Sequence, residues 1–303
     1  MTRADEPIRV TPPERSAAGV PGAVAGARAA LRQMGVGRTV RTLLAVNQTD
    51  GFDCPGCAWP EHDRRSHLEF CENGAKAVAE EATRRRVDAA FFAAHSLDDL
   101  RSRDEHWLGQ LGRLTEPMLR RRGADHYEPV SWHDALAMVA TELSALDHPD
   151  RAVFYTSGRT SNEAAFLYQL LVRQFGTNNL PDCSNMCHES SGVALTQTIG
   201  IGKGSVTLDD LHEAELIVVM GQNPGTNHPR MLGALERAKA NGAAVVAINP
   251  LHEAGLQRFK NPKRPSGVLG RGTEMADEYL QIKVGADLAL FQYLNRRLVE
   301  LDR

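Results

Sequence analysis

The sequence lacks a dominant charge of either sign, since 35 Lys and Arg against 38 Asp and Glu leave a formal net charge of -3. It therefore has no electrostatic footprint for nucleic acid or for an acidic membrane surface. No stretch approaches the run of about 20 apolar residues that spans a bilayer. The first thirty residues lack the charged start, apolar block and cleavage pattern of a secretory signal, and they hold no twin-arginine pair. Cysteine is scarce and odd in number, 5 in all, which argues against a disulfide framework and for reduced thiols in the cytoplasm. No internal repeat is visible. These absences leave a soluble globular protein with no nucleic-acid partner and no membrane span, and 303 residues suffice for two domains and a large core.

The order of what is present suggests three parts: an arm at 1–37, a small domain at 38–125 and an α/β region at 126–303. Pro12, Pro13 and scattered glycines argue against long elements before Gly37. "RTVRTLLAVNQTDGFDCPGC" suggests a short strand running into a turn that presents Cys54. "GAKAVAEEATRRR" has helical composition, with its charges on a solvated face. In "YEPVSWHDALAMVATELSAL" Ser131 and Asp134 resemble a capping box, and Leu136, Val139, Ala140 and Leu143 share a stripe. From Arg151 strand and helix alternate. "RAVFYTSG" reads as a strand, and a helix capped by Thr160 and Glu163 follows and stops at Gly176. "AELIVVMGQNP" and "AAVVAINP" read as strands around a helix with Pro229 in its first turn and Gly242 past its end. This spacing is that of a parallel sheet with crossover helices. Ligands of such sheets sit beyond the carboxyl ends of the strands, which points to "TSGRTSN", "GQNPGTNHP" and "NPLHEAG". Their Gly, Asn and hydroxyl content suits phosphates or a polar heterocycle.

Cys54 and Cys57 form a C-x-x-C pair around Pro55-Gly56, and Cys71 follows. The pair alone is compatible with zinc, a redox dithiol, a cluster or coincidence. Zinc wants four Cys or His ligands, with His62 or His67 available, and an iron–sulfur cluster wants four ligands, usually thiolates. Taken singly, Cys183 and Cys187 in "LPDCSNMCHESSG" read as small buried hydrophobes, and His188 adds little. "GIGKGS" fails the Walker pattern, because Gly204 stands where Ser or Thr is required. The single glycine of "ELIVVMGQNP" argues against an NAD fingerprint.

Together, "FDCPGCAWP", "SWHDAL", "TSGRTSNEAAFLYQLLVRQFGTNNLPDCSNMCHESSG", "GQNPGTNHPRML" and "AINPLHEAGLQRFKNP" resemble the molybdopterin oxidoreductase alpha subunits, in the branch related to formate dehydrogenase. The likeness runs from about Arg41 to the end of the chain. It implies an α/β fold with a small amino-terminal iron–sulfur-type domain and a Rossmann-like doubly wound parallel sheet. It also implies molybdenum held by two molybdopterin guanine dinucleotides, with a 4Fe–4S cluster passing electrons. By this resemblance Cys187 matches the molybdenum ligand and His188 its proton-handling neighbour. Gly158, Arg159, Gly221, Asn223, His228 and Asn249 fall in dinucleotide-binding loops. Cys54 and Cys57 match the first two cluster ligands and Cys71 the last, and Lys76 is the nearest candidate for the family's electron-mediating lysine. The third cluster cysteine, expected a few residues after Cys57, is absent, so either Glu61 or His62 substitutes or the cluster is labile or missing. Family members are also roughly twice as long or more, so the chain reads as an amino-terminal portion with an incomplete cofactor cradle. The implied partners are a small-molecule substrate and an electron-transfer subunit or carrier. The same scaffold acting on another small substrate, or an inactive zinc-binding scaffold, are the rival readings.

Overall fold

The computed structural model describes residues 10–57, 59–61, 65–181 and 183–302. The described residues divide into two compact units, one over 83–205 and one over 10–82 with 206–302.

The core of the second unit is a parallel sheet. Leu216–Met220 and Glu278–Leu280 flank Ala244–Ile248, with Leu216 opposite Ala244 and Glu278 opposite Val246. Parallel neighbours require a crossover, and the Met231–Ala240 helix supplies it between the first two strands. Side chains alternate along a strand, so Ile217 and Val219 face inward with Val245 and Ala247 to meet Leu232, Leu235 and Ala238 of that helix. Full burial of a leucine such as Leu235 contributes about 2 kcal/mol. Gly242, at φ 107°, turns the chain into the central strand, as the sequence suggests. A smaller sheet in the same unit pairs Ala17–Ala18 with Arg258–Lys260 and the latter with Thr273–Glu274.

The amino-terminal segment corrects the expectation of an arm. Residues Gly19–Ala45 are helical, with one break at Gly35, where φ is 70°. The glycines are spaced as a helical face. A Cβ on Gly22 would lie 2.9 Å from a Glu72 carboxylate oxygen, and one on Gly26 would lie 3.5 Å from the Ala75 methyl. They form a groove that admits the Glu72–Glu81 helix, with Ala30, Met34 and Ala79 buried between the two. The expected strand from Arg41 is the last turn of this helix, and only Val46 forms a bridge, to Phe52.

In the first unit, Trp132–Ser144 is a helix whose Ser131 hydroxyl accepts from the Asp134 amide at 3.1 Å. Asn162–Phe175 is also helical and ends at Gly176 in the left-handed conformation, φ 109°. Its cap is Ser161, one residue later than expected, because the Thr160 hydroxyl is engaged with that of Thr156 at 2.6 Å. Among the described residues "RAVFYTSG" belongs to no sheet and holds only an isolated bridge position at Thr156. Phe154 instead donates its amide to Asn179, whose side chain donates to the Asp150 and Ala152 carbonyls. No helix among the described residues is long and apolar enough to cross a membrane.

Candidate functional site

After the long helix, Asn47 turns the chain at φ 57° and organises the cysteine segment. Its buried side chain accepts from the Cys54 amide at 2.8 Å and donates to the Glu69 carbonyl at 2.6 Å, so one amide fixes both ends of the loop. The Gly56 amide points at the Cys54 sulfur from 3.4 Å. Cys71 caps the Glu72–Glu81 helix, its sulfur 3.3 Å from the Gly74 amide. A Cβ on Gly74 would sit 3.1 Å from the Cys54 sulfur and 3.6 Å from that of Cys71. Glycine at this position keeps open a gap that both thiols border. Burial pushes the Cys71 thiol above its ordinary value, the neighbouring Cys54 and Cys57 add to that, and the Gly74 amide pulls the other way.

Among the described residues no group of three or more His, Cys, Asp or Glu side chains is gathered to hold a metal ion. His67 is exposed, and His62 lies outside the described residues. A sulfide cluster sets its thiolates farther apart than a single ion does. Here the thiols of Cys54 and Cys71 border a glycine-lined gap with an amide near each sulfur, and Cys57 is the third thiol of the loop. Glu61 does not supply a fourth. Both of its carboxylate oxygens accept from Arg230, whose Nη2 also reaches Glu69 at 3.1 Å. Burial works against the charge of Glu69, yet hydrogen bonds from Ser66 and the charges of Lys263 and Arg230 hold its carboxyl below the usual range. Lys76 is paired with Glu72 on its own helix at 2.5 Å.

The second unit joins this loop to a strand end. Asn73 donates to the Thr226 carbonyl at 2.5 Å, and Trp59 lies 6.4 Å, ring to ring, from His228. Arg230, two residues past His228, completes the junction through Glu61 and Glu69. A mostly apolar cavity of about 390 Å³ borders it, lined by Gly26, Trp59, Phe70, Cys71 and Arg230 among others.

The structure brings Gly221, Asn223 and Asn249 together beyond the carboxyl ends of the first two strands. Gly221, at φ 64°, donates its amide to Ile248 at 2.9 Å. Asn223 caps the short Pro224–Asn227 helix and donates to Glu253 at 2.6 Å. Asn249 is buried, donates to the Gln222 carbonyl at 2.9 Å and accepts from the Leu251 amide at 3.1 Å. Its amide is occupied in holding the two loops in place. Tyr279 pins the second loop, donating to the Leu251 carbonyl at 2.6 Å and accepting from the Glu253 amide at 3.1 Å. A cleft of about 250 Å³ lies here, with Asn223, Thr226, His252 and Glu253 on its wall.

The remaining candidates belong to the first unit. Gly158 and Arg159 occupy an exposed turn in which the Arg159 amide donates to the Ser157 hydroxyl at 3.2 Å. Cys187 and His188 lie near the start of the Cys183–Ile199 helix, and both are exposed. This overturns the reading of Cys187 as a buried hydrophobe, while the Cys183 side chain lies outside the described residues. Glu69 and Tyr279 escape motif reading, and Arg230 and Glu253 lie inside quoted motifs without being singled out. Only the position of Arg230 directly after "NHP" offers a signal, since its partners are remote in sequence.

A family model of molybdopterin oxidoreductases matches residues 113–300. The chain is 60% identical over 299 residues to an uncharacterized oxidoreductase of Mycobacterium tuberculosis, which takes in 98% of this chain and 38% of that protein. It is 46% identical over 290 residues to the protein YdeP of Escherichia coli, covering 95% and 38%. Formate dehydrogenase H of Escherichia coli is 31% identical over 193 residues, covering 62% and 25%. The chain thus spans 38% of the length of the first two relatives. With more than half of its residues inside the family match, this chain belongs to the molybdopterin oxidoreductases.

Proposed function

We propose that the complete protein is a molybdenum-dependent two-electron oxidoreductase of the formate-dehydrogenase type, and that this chain carries its metal thiolate and part of its dinucleotide cradle. The observation that carries the reading is Cys187 with His188, exposed side by side on one helix inside the family match. The bound molybdenum–pterin group would supply the two-electron chemistry. Cys187 would hold the metal, since a soft thiolate suits it, and His188 would take the proton released by the substrate. Gly221, Asn223 and His228 would meet one guanine dinucleotide, with Gly158 and Arg159 on a further loop. Asn249 would position that cradle without touching the ligand, because its amide is engaged with Gln222 and Leu251. Cys54, Cys57 and Cys71 would hold an iron–sulfur centre that passes electrons, with Lys76 one turn beyond Cys71. We read the three parallel strands as part of a Rossmann-like doubly wound sheet, and the scarce unbridged thiols as suited to the cytoplasm.

In the complete protein, Cys187→Ala should abolish formate-dependent reduction of a viologen dye. His188→Gln should lower kcat about a hundredfold or more and alter its pH profile. Unchanged turnover in the Cys187 variant would remove the assignment. A panel of small oxyanions and polar organic substrates in the same assay separates formate from the rival substrates. Zinc without iron or pterin in the purified chain would favour the scaffold reading.

A further inference from the structure

Gly233 has no packing reason to be glycine. It sits in the first turn of the Met231–Ala240 helix, and glycine is the least favourable helix residue after proline. Gly22 and Gly26 have neighbours, Glu72 and Ala75, that need their missing side chains, whereas a Cβ on Gly233 would meet nothing within 4 Å. Gly233 lines the cavity of about 390 Å³ in the second unit, so a side chain there would take up cavity space. That volume lies within the range of about 300–1,000 Å³ usual for small-molecule sites. Ala23, Gly26 and Ala234 keep the walls thin, while Trp59 and Phe70 supply ring surfaces that suit a flat apolar body.

The charges around the cavity are paired with one exception. Glu61 is held by Arg230, Glu69 lies 3.1 Å from Arg230 and 3.6 Å from Lys263, and Glu72 is held by Lys76 at 2.5 Å. Arg237 also lines the cavity and is exposed, which puts it at the rim. Its guanidinium forms no hydrogen bond or ion pair with another described residue. An apolar interior with one uncommitted guanidinium at its edge suits a ligand with one anionic end, and a carboxylate matches the fork of that group. A phosphate ester, with up to two negative charges, would find a single free cation there and the Glu69 and Glu72 carboxylates on the same wall.

We propose that this cavity binds a small aryl carboxylate, with its ring system against Trp59, Phe70 and the bare side of Gly233 and its carboxylate on Arg237. The inference requires neither molybdenum nor an iron–sulfur centre, so it stands or falls apart from the oxidoreductase reading.

The test is isothermal titration calorimetry of the full chain with 2-naphthoate, and with uncharged 2-naphthol for comparison. Wild type should take up one equivalent of 2-naphthoate in the micromolar range. Arg237→Gln should weaken 2-naphthoate about tenfold, as loss of a charge-assisted hydrogen-bond pair does, and should leave 2-naphthol nearly unchanged. Gly233→Leu should abolish binding of both, because the leucine fills the space. Leucine favours a helix more than glycine does, and circular dichroism checks that the variant is folded. If it is not, Arg237→Gln decides the matter. Absence of saturable binding to wild type at millimolar 2-naphthoate overturns the proposal. So does undiminished binding to folded Gly233→Leu, which would place the probe on apolar surface elsewhere. Equal affinity of wild type and Arg237→Gln for 2-naphthoate overturns it as well, since the carboxylate would then have no partner in Arg237.

Discussion

Arg230 gathers more of the site than the candidates read from the sequence do. It stands at the start of the Met231–Ala240 helix and holds Glu61 and Glu69 across 169 and 161 residues of sequence. Burial opposes its charge, yet the two carboxylates raise its already high pKa, so it stays a cation throughout. Arg230→Met should destabilise the second unit by about 3 kcal/mol, because two mostly buried carboxylates lose their partner. The double variant Arg230→Met with Glu61→Met should recover part of that loss. Urea unfolding of the three proteins measures both, and equal midpoints for wild type and Arg230→Met would show that the network contributes nothing. Cys71 was legible as a thiol but not as a helix cap, a role that depends on where the helix begins.

At the scale of elements, the loops that position the strand-end residues depend on a glycine-to-glycine approach. A Cβ on Gly255 would lie 2.8 Å from both the Cα and the nitrogen of Gly225, so backbone must move to admit it. Gly255→Ala should cost about 1–3 kcal/mol, as overpacking does, and should speed amide exchange at Thr226 and Asn227, whose caps depend on Asn223. Unaltered exchange at these amides would mean that the approach is not a constraint. The strands at Leu216 and Ala244 and the helix between them were plain in the sequence, because period, β-branching and a following glycine agree. The long amino-terminal helix was not. Its glycines read as breakers until the Glu72–Glu81 helix is seen to need their missing side chains.

Over the whole molecule, much apolar surface stays open. In the first unit Leu136, Val139, Phe166, Leu167 and Leu171 are each more than half exposed, although Leu136 and Val139 fall on the stripe their helix was expected to bury. In the second unit the outer sheet face shows Leu216 and Val218. Surface of this kind is a contact face or a liability. The isolated chain should bind a hydrophobic dye and self-associate as concentration rises, and Leu136→Lys with Leu167→Lys should reduce both. Light scattering and dye fluorescence measure this, and a monomeric, dye-silent wild type would contradict it.

The sequence by itself determined the alternating strands and helices of the carboxyl half, the cysteine spacing and the family, because each is written in residues close together along the chain. The tertiary structure alone decided that Glu61 is held by Arg230, that Asn249 is buried between two loops, and that a glycine-rich segment is a packed helix. Each of these depends on a partner far away in sequence. Local pattern carries the choice of element, but burial and charge pairing depend on which surfaces the fold brings into contact.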